Sequence, residues 1–197
     1  SDKFISQIED MAKKLKCDPL DVAALLFKES RFDPSQSHGS FRGIGQMNRN
    51  SLKAAIKYIE KHPQEAEGID PDMTIEEFVK LSREEQMPYV KNYTLAMKNT
   101  YLGKDTKITG ADLYALFYTP AYAKKDTLTS ADSPSADVRK MYRNNRWLDK
   151  VDDNNNYRKD GKITKHDLQF TLDSIKTEVF KIPEHIVKSK VHIDQKG

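Results

Sequence analysis

One stretch of the sequence decides the fold: Asp18-Pro-Leu-Asp-Val-Ala-Ala-Leu-Leu-Phe-Lys-Glu-Ser-Arg-Phe-Asp-Pro34. Asp is a favoured helix N-cap, and Pro is tolerated in the first turn, where its missing N–H has no intrahelical partner to lose. The apolar residues from Val22 to Phe27 continue as a helix, which must stop near Pro34. We therefore predict a helix that begins at Asp18-Pro19 and carries a carboxylate, Glu29, close to its end.

The sequence on either side of this stretch is also helical in pattern. Apolar residues recur at helical spacing over residues 4–15, 51–60 and 89–101. The capping boxes Thr74-x-x-Glu77 and Ser82-x-x-Glu85 predict two further helix starts. Pro88 predicts a restart or a kink in the helix that follows, because it cannot donate to the helical ladder. Strand signals are weak throughout, so the fold class is predicted to be mainly α.

Composition excludes several classes of function. The 197 residues include 33 Lys and Arg against 30 Asp and Glu, and the net charge of +3 is too small to argue for nucleic-acid binding. No apolar run approaches the roughly 20 residues that span a bilayer, so we expect no membrane span. The single cysteine, Cys17, excludes an internal disulfide framework. Because the chain opens at Ser1 without a signal peptide, we expect a processed or excised segment.

Glu29 is a carboxylate on an apolar helical face. It follows Val22 by seven residues and Leu25 by four, which places all three on the same side of the helix. A carboxyl group there should be partly desolvated, which raises its pKa, and a protonated carboxyl can act as a general acid toward a glycosidic oxygen. From position alone, however, the more common case is a helix-end carboxylate that pairs with Lys28 or Arg31 or is simply solvated.

The context of Glu29 consists of two motifs, Glu29-Ser-Arg-Phe-Asp-Pro34 and, after a polar loop, Gly43-Ile-Gly-Gln46. Together they resemble the soluble lytic transglycosylase and goose-type lysozyme superfamily, whose pattern is Glu-Ser-x-Phe-x-Pro followed by Gly-Leu-x-Gln or a close variant. The resemblance implies that Glu29 is the catalytic acid/base and that Ser30 and Gln46 line the saccharide site. It also implies that Gly43 and Gly45 let the backbone approach the sugar. Taken singly, the glycines could be ordinary loop residues and Gln46 an N-cap or a surface amide.

A second block consists of Leu81-Ser-Arg-Glu-Glu-Gln86 through Tyr89-Val90 and Tyr93, followed by Asp112-Leu-Tyr-Ala-Leu-Phe-Tyr-Thr-Pro120. It resembles the version of this domain that is attached to phage tail proteins, which implies that Tyr118 lies beside the acid. The sequence departs from the commoner pattern at Thr119, where many relatives have Asn. Tyr114 and Phe117 are interpreted as core residues at helical spacing. The resemblance also implies a location in the phage virion, with peptidoglycan glycan strands and other phage tail or virion proteins as partners.

The implied reaction is cleavage of the β-1,4 bond between N-acetylmuramic acid and N-acetylglucosamine. With Glu29 alone as acid and then base, the enzyme would be a lytic transglycosylase that forms a 1,6-anhydro product. An inverting hydrolase needs a second carboxylate about 6.5–9.5 Å away, and Asp33, next to Pro34, has the pattern of a turn residue. The alternatives are an inverting lysozyme or chitinase-type hydrolase on the same fold, and an inactive phage structural or wall-binding module.

Near the C-terminus, the segments Asp152-Asp-Asn-Asn-Asn156, Asp160-Gly-Lys-Ile163 and then Asp167 resemble an EF-hand-like calcium loop with an insertion. The implied ligands of a structural Ca²⁺ are Asp152, Asn154, Asn156, Asp160 and Asp167, and no cofactor is expected for catalysis. Residues 159–168 also echo residues 104–113. A solvated turn is therefore the alternative, with Thr164 as a helix cap and Asp167 as its capping acid.

These patterns predict a domain organisation along the chain. We expect a lysozyme-like catalytic domain over residues 1–123 and a loop over 124–136. An EF-hand-like helix-loop-helix over 137–180 is expected to pack on the catalytic domain, and 181–197 is expected to be a tail or linker.

Overall fold

The computed structural model of this chain describes residues 1–187. The chain divides into two compact units, of which the first ends at Lys107 and the second begins at Ile108. This division falls before the predicted boundary at residue 123, so the block Asp112–Pro120 belongs to the second unit. The described residues are mainly helical, as predicted. None of their helices combines the length and the apolar character that a membrane crossing requires.

The first unit consists of helices and one short hairpin. Its helices are α1 (Asp2–Leu15), α2 (Pro19–Ser30), α3 (Arg49–Lys61), α4 (Ile75–Phe78) and α5 (Arg83–Tyr101), and its strands are β1 (Ser37–His38) and β2 (Phe41–Arg42). The long helix α5 packs against α1 and α3, and α1 also packs against α2. The core of this unit includes Met11, Leu15, Leu25, Leu26, Phe78 and Tyr89. The predicted apolar stripes form only part of it, because Ile5 is 54% exposed and four residues of the α5 stripe are only partly buried: Tyr93, Ala96, Met97 and Tyr101.

The helix starts of the first unit use the predicted caps. Asp18 Oδ1 accepts a hydrogen bond from Leu20 N at 2.8 Å, and α2 begins at the next residue, Pro19. Ser82 and Glu85 form a reciprocal capping box at the start of α5. The Thr74 hydroxyl accepts from Glu77 N at 3.2 Å before α4. Because each cap satisfies backbone donors that a helix leaves free, these positions fix where the helices begin.

The restart predicted at Pro88 is wrong, because α5 runs through this residue as one helix. The alternative of a kink stays a prediction. Proline removes the hydrogen bond to the carbonyl four residues earlier, which here is the carbonyl of Glu84. Gln7 Nε2 of α1 donates to that carbonyl at 2.8 Å. A side chain from the neighbouring helix therefore replaces the missing backbone donor, which the local sequence of α5 could not indicate.

The second unit combines helices with a two-stranded antiparallel sheet. Its elements are α6 (Gly110–Tyr118), β3 (Thr127–Ser130), α7 (Ala136–Asn144), β4 (Lys162–Thr164) and α8 (Lys165–Glu178). In the sheet, Thr127 pairs with Thr164, Thr129 with Ile163, and Ser130 with Lys162. Helix α6 packs against α8, and α7 packs against β3.

Part of the stretch predicted as a loop, residues 124–136, is a strand. β3 forms within it because Leu128 and Thr129 are buried and its backbone pairs with β4. The polar composition around Leu128 concealed this strand from a pattern-based prediction. Helices α7 and α8 flank the Asp- and Asn-rich segment, and β4 lies between that segment and α8. The predicted tail, 181–197, extends beyond the described residues after position 187.

Candidate active site

Glu29 is the penultimate residue of α2, a helix whose face toward the core includes the buried residues Val22, Leu25 and Leu26. The helix ends there because the next two residues after Ser30 leave the right-handed region: Arg31 has φ +53° and Phe32 has φ +63°. Left-handed backbone at a helix C-terminus turns the chain sharply away. The Glu29 side chain is therefore held at a helix end, partly exposed and next to the core.

The electrostatic environment of Glu29 favours the protonated carboxyl group. Burial raises its pKa to about 7, against a smaller lowering by the Lys28 ammonium. Within the part of the chain that the structure describes, the carboxyl group forms no hydrogen bond or salt bridge that would stabilise its charge. Desolvation without a partner is the arrangement that keeps a proton on a carboxyl near neutral pH. Such a group can donate its proton and later accept one.

Asp33, the nearest acid along the chain, is in a different environment. Its Oδ1 accepts hydrogen bonds from Ser35 N at 2.8 Å and from the Ser35 hydroxyl at 2.7 Å. These bonds hold the pKa of Asp33 below its ordinary value. The carboxylate closes a turn, as its position before Pro34 predicts.

Ser30 lies against the core, although the resemblance places it in the saccharide site. It is 3% exposed, and its hydroxyl lies 3.1 Å from the Leu26 carbonyl and 2.9 Å from the Ile44 carbonyl. The contact with Ile44 joins the end of α2 to the loop that contains the second motif. The structure thus gives Ser30 a positioning role, and its contact with substrate stays a prediction.

The second motif follows the β1–β2 hairpin, and its two glycines face α5. A Cβ on Gly43 would lie 2.4 Å from Gln86 Oε1, and Gly43 has φ +79°, a conformation that favours glycine. A Cβ on Gly45 would lie 2.8 Å from Val90 Cγ2. In the structure, these glycines therefore allow the loop to lie close to α5. Their approach to a sugar stays a prediction.

Gln46 also has a left-handed backbone, with φ +50°, and its side chain is partly exposed. Its Nε2 donates to the Gly43 carbonyl at 2.8 Å and to the Gln36 carbonyl at 3.2 Å. The amide group closes the turn of the motif, while the predicted role of Gln46 in a saccharide groove stays open. Gly43, Gly45 and Gln46 thus lie in one loop, which the hydrogen bond from Ser30 to the Ile44 carbonyl connects to the end of α2.

Gln86 of α5 belongs to the second sequence block, but no role in the candidate site was predicted for it. It is fully buried, and its Oε1 accepts from Ile44 N at 3.0 Å. Its Nε2 contacts three carbonyl groups, those of Pro34 at 2.9 Å, Phe78 at 3.2 Å and Leu81 at 3.3 Å. A polar side chain inside an apolar helical stripe was the available signal, because buried amides need internal partners. Gln86 connects the loop of both motifs to α4 and α5.

Tyr118 is the last residue of α6 and belongs to the second unit. Its hydroxyl lies 2.7 Å from Thr129 Oγ1 of β3, and burial raises the pKa of this tyrosine to about 12. The phenol is therefore neutral and already hydrogen-bonded. The predicted place of Tyr118 beside Glu29 stays a prediction.

The acids of the predicted calcium loop are hydrogen-bonded to their own segment. Asp152 accepts from the backbone N–H groups of Asn154 and Asn156, at 2.9 and 3.0 Å, and from Arg158 Nε at 2.8 Å. Asp167 is fully buried and accepts from the backbone N–H groups of Lys150, Val151 and Thr164. Asp152 therefore closes a turn and Asp167 caps a helix, as the alternative to a calcium loop predicts.

Asp149, for which no role was predicted from the sequence, connects parts of the same segment through hydrogen bonds. It is fully buried, and its carboxylate accepts from Tyr142 Oη at 2.7 Å, Asp160 N at 3.1 Å and Gly161 N at 2.9 Å. Among residues 1–187, no three His, Cys, Asp or Glu side chains lie together in a way that could hold a metal ion. The five implied calcium ligands, Asp152, Asn154, Asn156, Asp160 and Asp167, stay a prediction.

Comparison of the chain with models of protein families, with curated proteins and with solved structures finds no match. The functional argument therefore depends on the residues and their geometry.

Proposed function

We propose that this protein is a peptidoglycan-degrading muramidase that cleaves the β-1,4 bond between N-acetylmuramic acid and N-acetylglucosamine. The observation that carries the proposal is the environment of Glu29, a partly buried carboxyl group without a partner, whose pKa is raised to about 7. Protonation of a glycosidic oxygen needs a general acid of this kind. The hydrogen bond from Ser30 to the Ile44 carbonyl, which connects the motif loop to the end of the helix that carries Glu29, further supports the proposal.

The proposed reaction is that of a lytic transglycosylase. The neutral Glu29 carboxyl donates its proton to the glycosidic oxygen as the bond from that oxygen to the muramic acid C1 breaks. The Glu29 carboxylate then takes the proton of the 6-hydroxyl of the same sugar, and that oxygen bonds to C1, which closes a 1,6-anhydro ring. One group serves as acid and then as base, so no second carboxylate is needed.

Asp33 has the contacts of a turn residue, because its Oδ1 is engaged by both the amide and the hydroxyl of Ser35. These bonds leave Oδ2 available, so the reaction products decide between transglycosylation and inverting hydrolysis. An inverting lysozyme or a chitinase-type hydrolase remains the second candidate, distinguished by products. Mass spectrometry of digested peptidoglycan should show anhydro ends, and reducing ends alone would identify a hydrolase.

The test of the site is Glu29→Gln, which keeps the shape of the side chain and removes the proton that it donates. Clearing of cell-wall suspensions should fall by at least about a thousandfold, the range of a lost general acid together with its base step. Glu9→Gln on the exposed side of α1 is the matched control and should clear walls like the parent. Full clearing by Glu29→Gln would exclude Glu29 as the acid, and binding to walls without turnover by the parent would favour an inactive wall-binding module.

The biological setting is proposed from the second block, Asp112–Pro120, which resembles the phage-tail version of the domain. We propose that the protein is part of a phage virion, next to other tail proteins, and opens the wall locally during infection. The calcium proposal is tested by thermal melts of the full chain with calcium and with chelator, in which a calcium-dependent rise of Tm would support it. Equal melting temperatures would remove it.

A further inference from the structure

A cavity of about 540 Å³ lies in the first unit between the hairpin, the start of α3 and α4. Its lining includes Ser40 and Arg42 from the hairpin region, Arg49 and Asn50 from the first turn of α3, and Glu76 from α4. The volume is within the range of small-molecule and short-peptide sites. Its lining includes neither Glu29 nor Gln46, so the cavity is a separate feature of this unit.

The charges around the cavity do not cancel. Arg49 forms a salt bridge with Glu76, so these two residues neutralise each other. Arg42 forms no ion pair within the described residues. Its Nη1 donates to the carbonyl groups of Gly39 at 2.6 Å and Phe41 at 2.9 Å, which are neutral acceptors. One guanidinium charge at the cavity is therefore left without an opposite charge.

The guanidinium of Arg42 is held in place by the hairpin. The Arg42 backbone pairs with Met47 through two hydrogen bonds of 2.8 Å, and its Nη1 closes the turn at Gly39 and Phe41. Because Nη1 is engaged, the donors on Nε and Nη2 are the ones left to a ligand. These two groups form the edge that binds a planar carboxylate through two parallel hydrogen bonds. A side chain fixed in this way loses little conformational entropy when a ligand binds.

The rest of the lining favours a peptide over other anions. Ile75 and Val79 add apolar surface from α4 and the residue that follows it. Asn50 adds an exposed amide in the first turn of α3. A short peptide presents a carboxylate, amide groups and small apolar side chains together, whereas a phosphate polymer has no apolar groups to match Ile75 and Val79.

We propose that this cavity binds the free carboxylate of a short peptide through Arg42. This inference rests on the proposed function in one respect, because the peptide in question is the acidic peptide branch carried by the muramic acid of a wall glycan. The cavity would then recognise the peptide while Glu29 acts on the sugar. Glycan strands that carry peptides would be preferred to strands from which the peptides have been removed.

Calorimetry with the Glu29→Gln protein tests this, since the ligand is not consumed. The probes are a muropeptide disaccharide with its peptide, the same disaccharide without the peptide, and a glycerol phosphate polymer. The muropeptide should bind at least about ten times more tightly than the bare disaccharide, the fold-change expected from one charge-assisted pair. Arg42→Gln should remove that difference. Tighter binding of the phosphate polymer than of the muropeptide would overturn the choice of a peptide.

Arg42 also closes the hairpin turn, so two further variants separate recognition from folding. Asn50→Asp places a negative charge at the cavity in the first helical turn, where an acid stabilises a helix. It should weaken muropeptide binding about fivefold or more without lowering Tm, and Asn50→Lys should not weaken it. Lys57→Gln, on the exposed side of α3, is the control. Unchanged binding in Asn50→Asp together with unchanged binding in Arg42→Gln would refute the proposal.

The outcome is separable from that of the proposed function. If the parent clears walls and Glu29→Gln does not, but both disaccharides bind equally and peptide-free glycan is cleaved as well as intact glycan, the Glu29 proposal stands and the cavity proposal fails. If no protein clears walls but Arg42-dependent muropeptide binding is present, the cavity proposal stands and the muramidase fails.

Discussion

Replacing Glu29 by Gln should make the first unit more stable at alkaline pH, although it removes the proposed catalytic group. Burial raises the pKa of Glu29 from 4.5 to about 7 in the folded protein. A folded-state pKa above the unfolded value means that the folded state binds more protons between these pH values. The contribution of this group is therefore fully favourable below pH 4.5 and is lost as pH rises through 7. The shift corresponds to roughly 3 kcal/mol at pH 8 and about 1 kcal/mol at pH 5.

Glutamine has nearly the same shape and no charge, so the stability of the variant should not fall as the pH rises through 7. The free energy of unfolding of Glu29→Gln minus that of the parent should rise by about 2 kcal/mol between about pH 5 and about pH 8. The single tryptophan, Trp147, belongs to the second unit, so its fluorescence does not report on α2. Hydrogen exchange of the α1 and α5 amides, measured by mass spectrometry, follows the first unit instead.

The control is Glu9→Gln, which removes an exposed carboxylate from α1 of the same unit. Its difference from the parent should stay flat over the same pH range. An equally flat difference for Glu29→Gln would mean that the Glu29 carboxylate is solvated in the folded protein. The argument for a general acid would then lose its physical basis, whatever the activity measurements showed.

Three further predictions follow from the same contacts. Gly43→Ala should destabilise the first unit by about 2 kcal/mol more than Gly39→Ala, as measured by hydrogen exchange. Both glycines have positive φ, but only a Cβ at position 43 would lie within 3 Å of a neighbour. Asp167→Asn should lower the free energy of unfolding of the second unit by about 2 kcal/mol, because the buried helix cap is weakened. Urea unfolding followed by tryptophan fluorescence measures this, and Asp153→Asn at an exposed position should change little. Equal urea midpoints for the two variants would contradict the prediction. Wall clearing by the parent should decline as pH rises through about 7, because Glu29 loses the proton that it donates, and full clearing at pH 9 would contradict that role.

Much of the fold was predictable because its helices follow local rules. The caps at Asp18, Ser82 and Thr164 and the apolar stripes are short-range signals, and the structure has helices where they predict them. The errors have non-local causes. Continuity of α5 through Pro88 depends on a hydrogen bond from Gln7, a residue of another helix. The strand β3 depends on pairing with β4, more than thirty residues further along the chain. A prediction from local sequence patterns cannot identify either partner, because both lie far away in the sequence.

The candidate site divides in the same way. Spacing from Val22 and Leu25 predicted a partly desolvated carboxyl at Glu29, and the raised pKa agrees with that burial. Its role as the acid came from the resemblance of the surrounding motifs and stays a prediction. The structural role of Gln86 beside the candidate site was not predicted, because its hydrogen-bond partner, the Ile44 N–H, lies 42 residues away in the sequence. Glycines in a functional motif were interpreted as ligand contacts, while the structure explains Gly43 by a helix packed against it. Residue type alone does not distinguish these two uses.

The environment of Glu29 also bears on whether the proposed groove is active. A carboxyl group with a pKa of about 7 lowers folding stability at neutral pH, by the linkage worked out above. A module that only binds walls gains nothing from this loss, and a Gln or a solvated Glu would be more stable at the same position. Loss of stability at one strained or desolvated group is the usual correlate of catalysis. Hydrogen bonds from Ser30 and Gln86 to Ile44 hold the chain beside that group, and they satisfy buried polar groups whether or not the site is active. The raised pKa of Glu29 therefore supports the proposal of an active acid over a retained but inactive groove, and the pH dependence of stability in Glu29→Gln measures whether that pKa is raised.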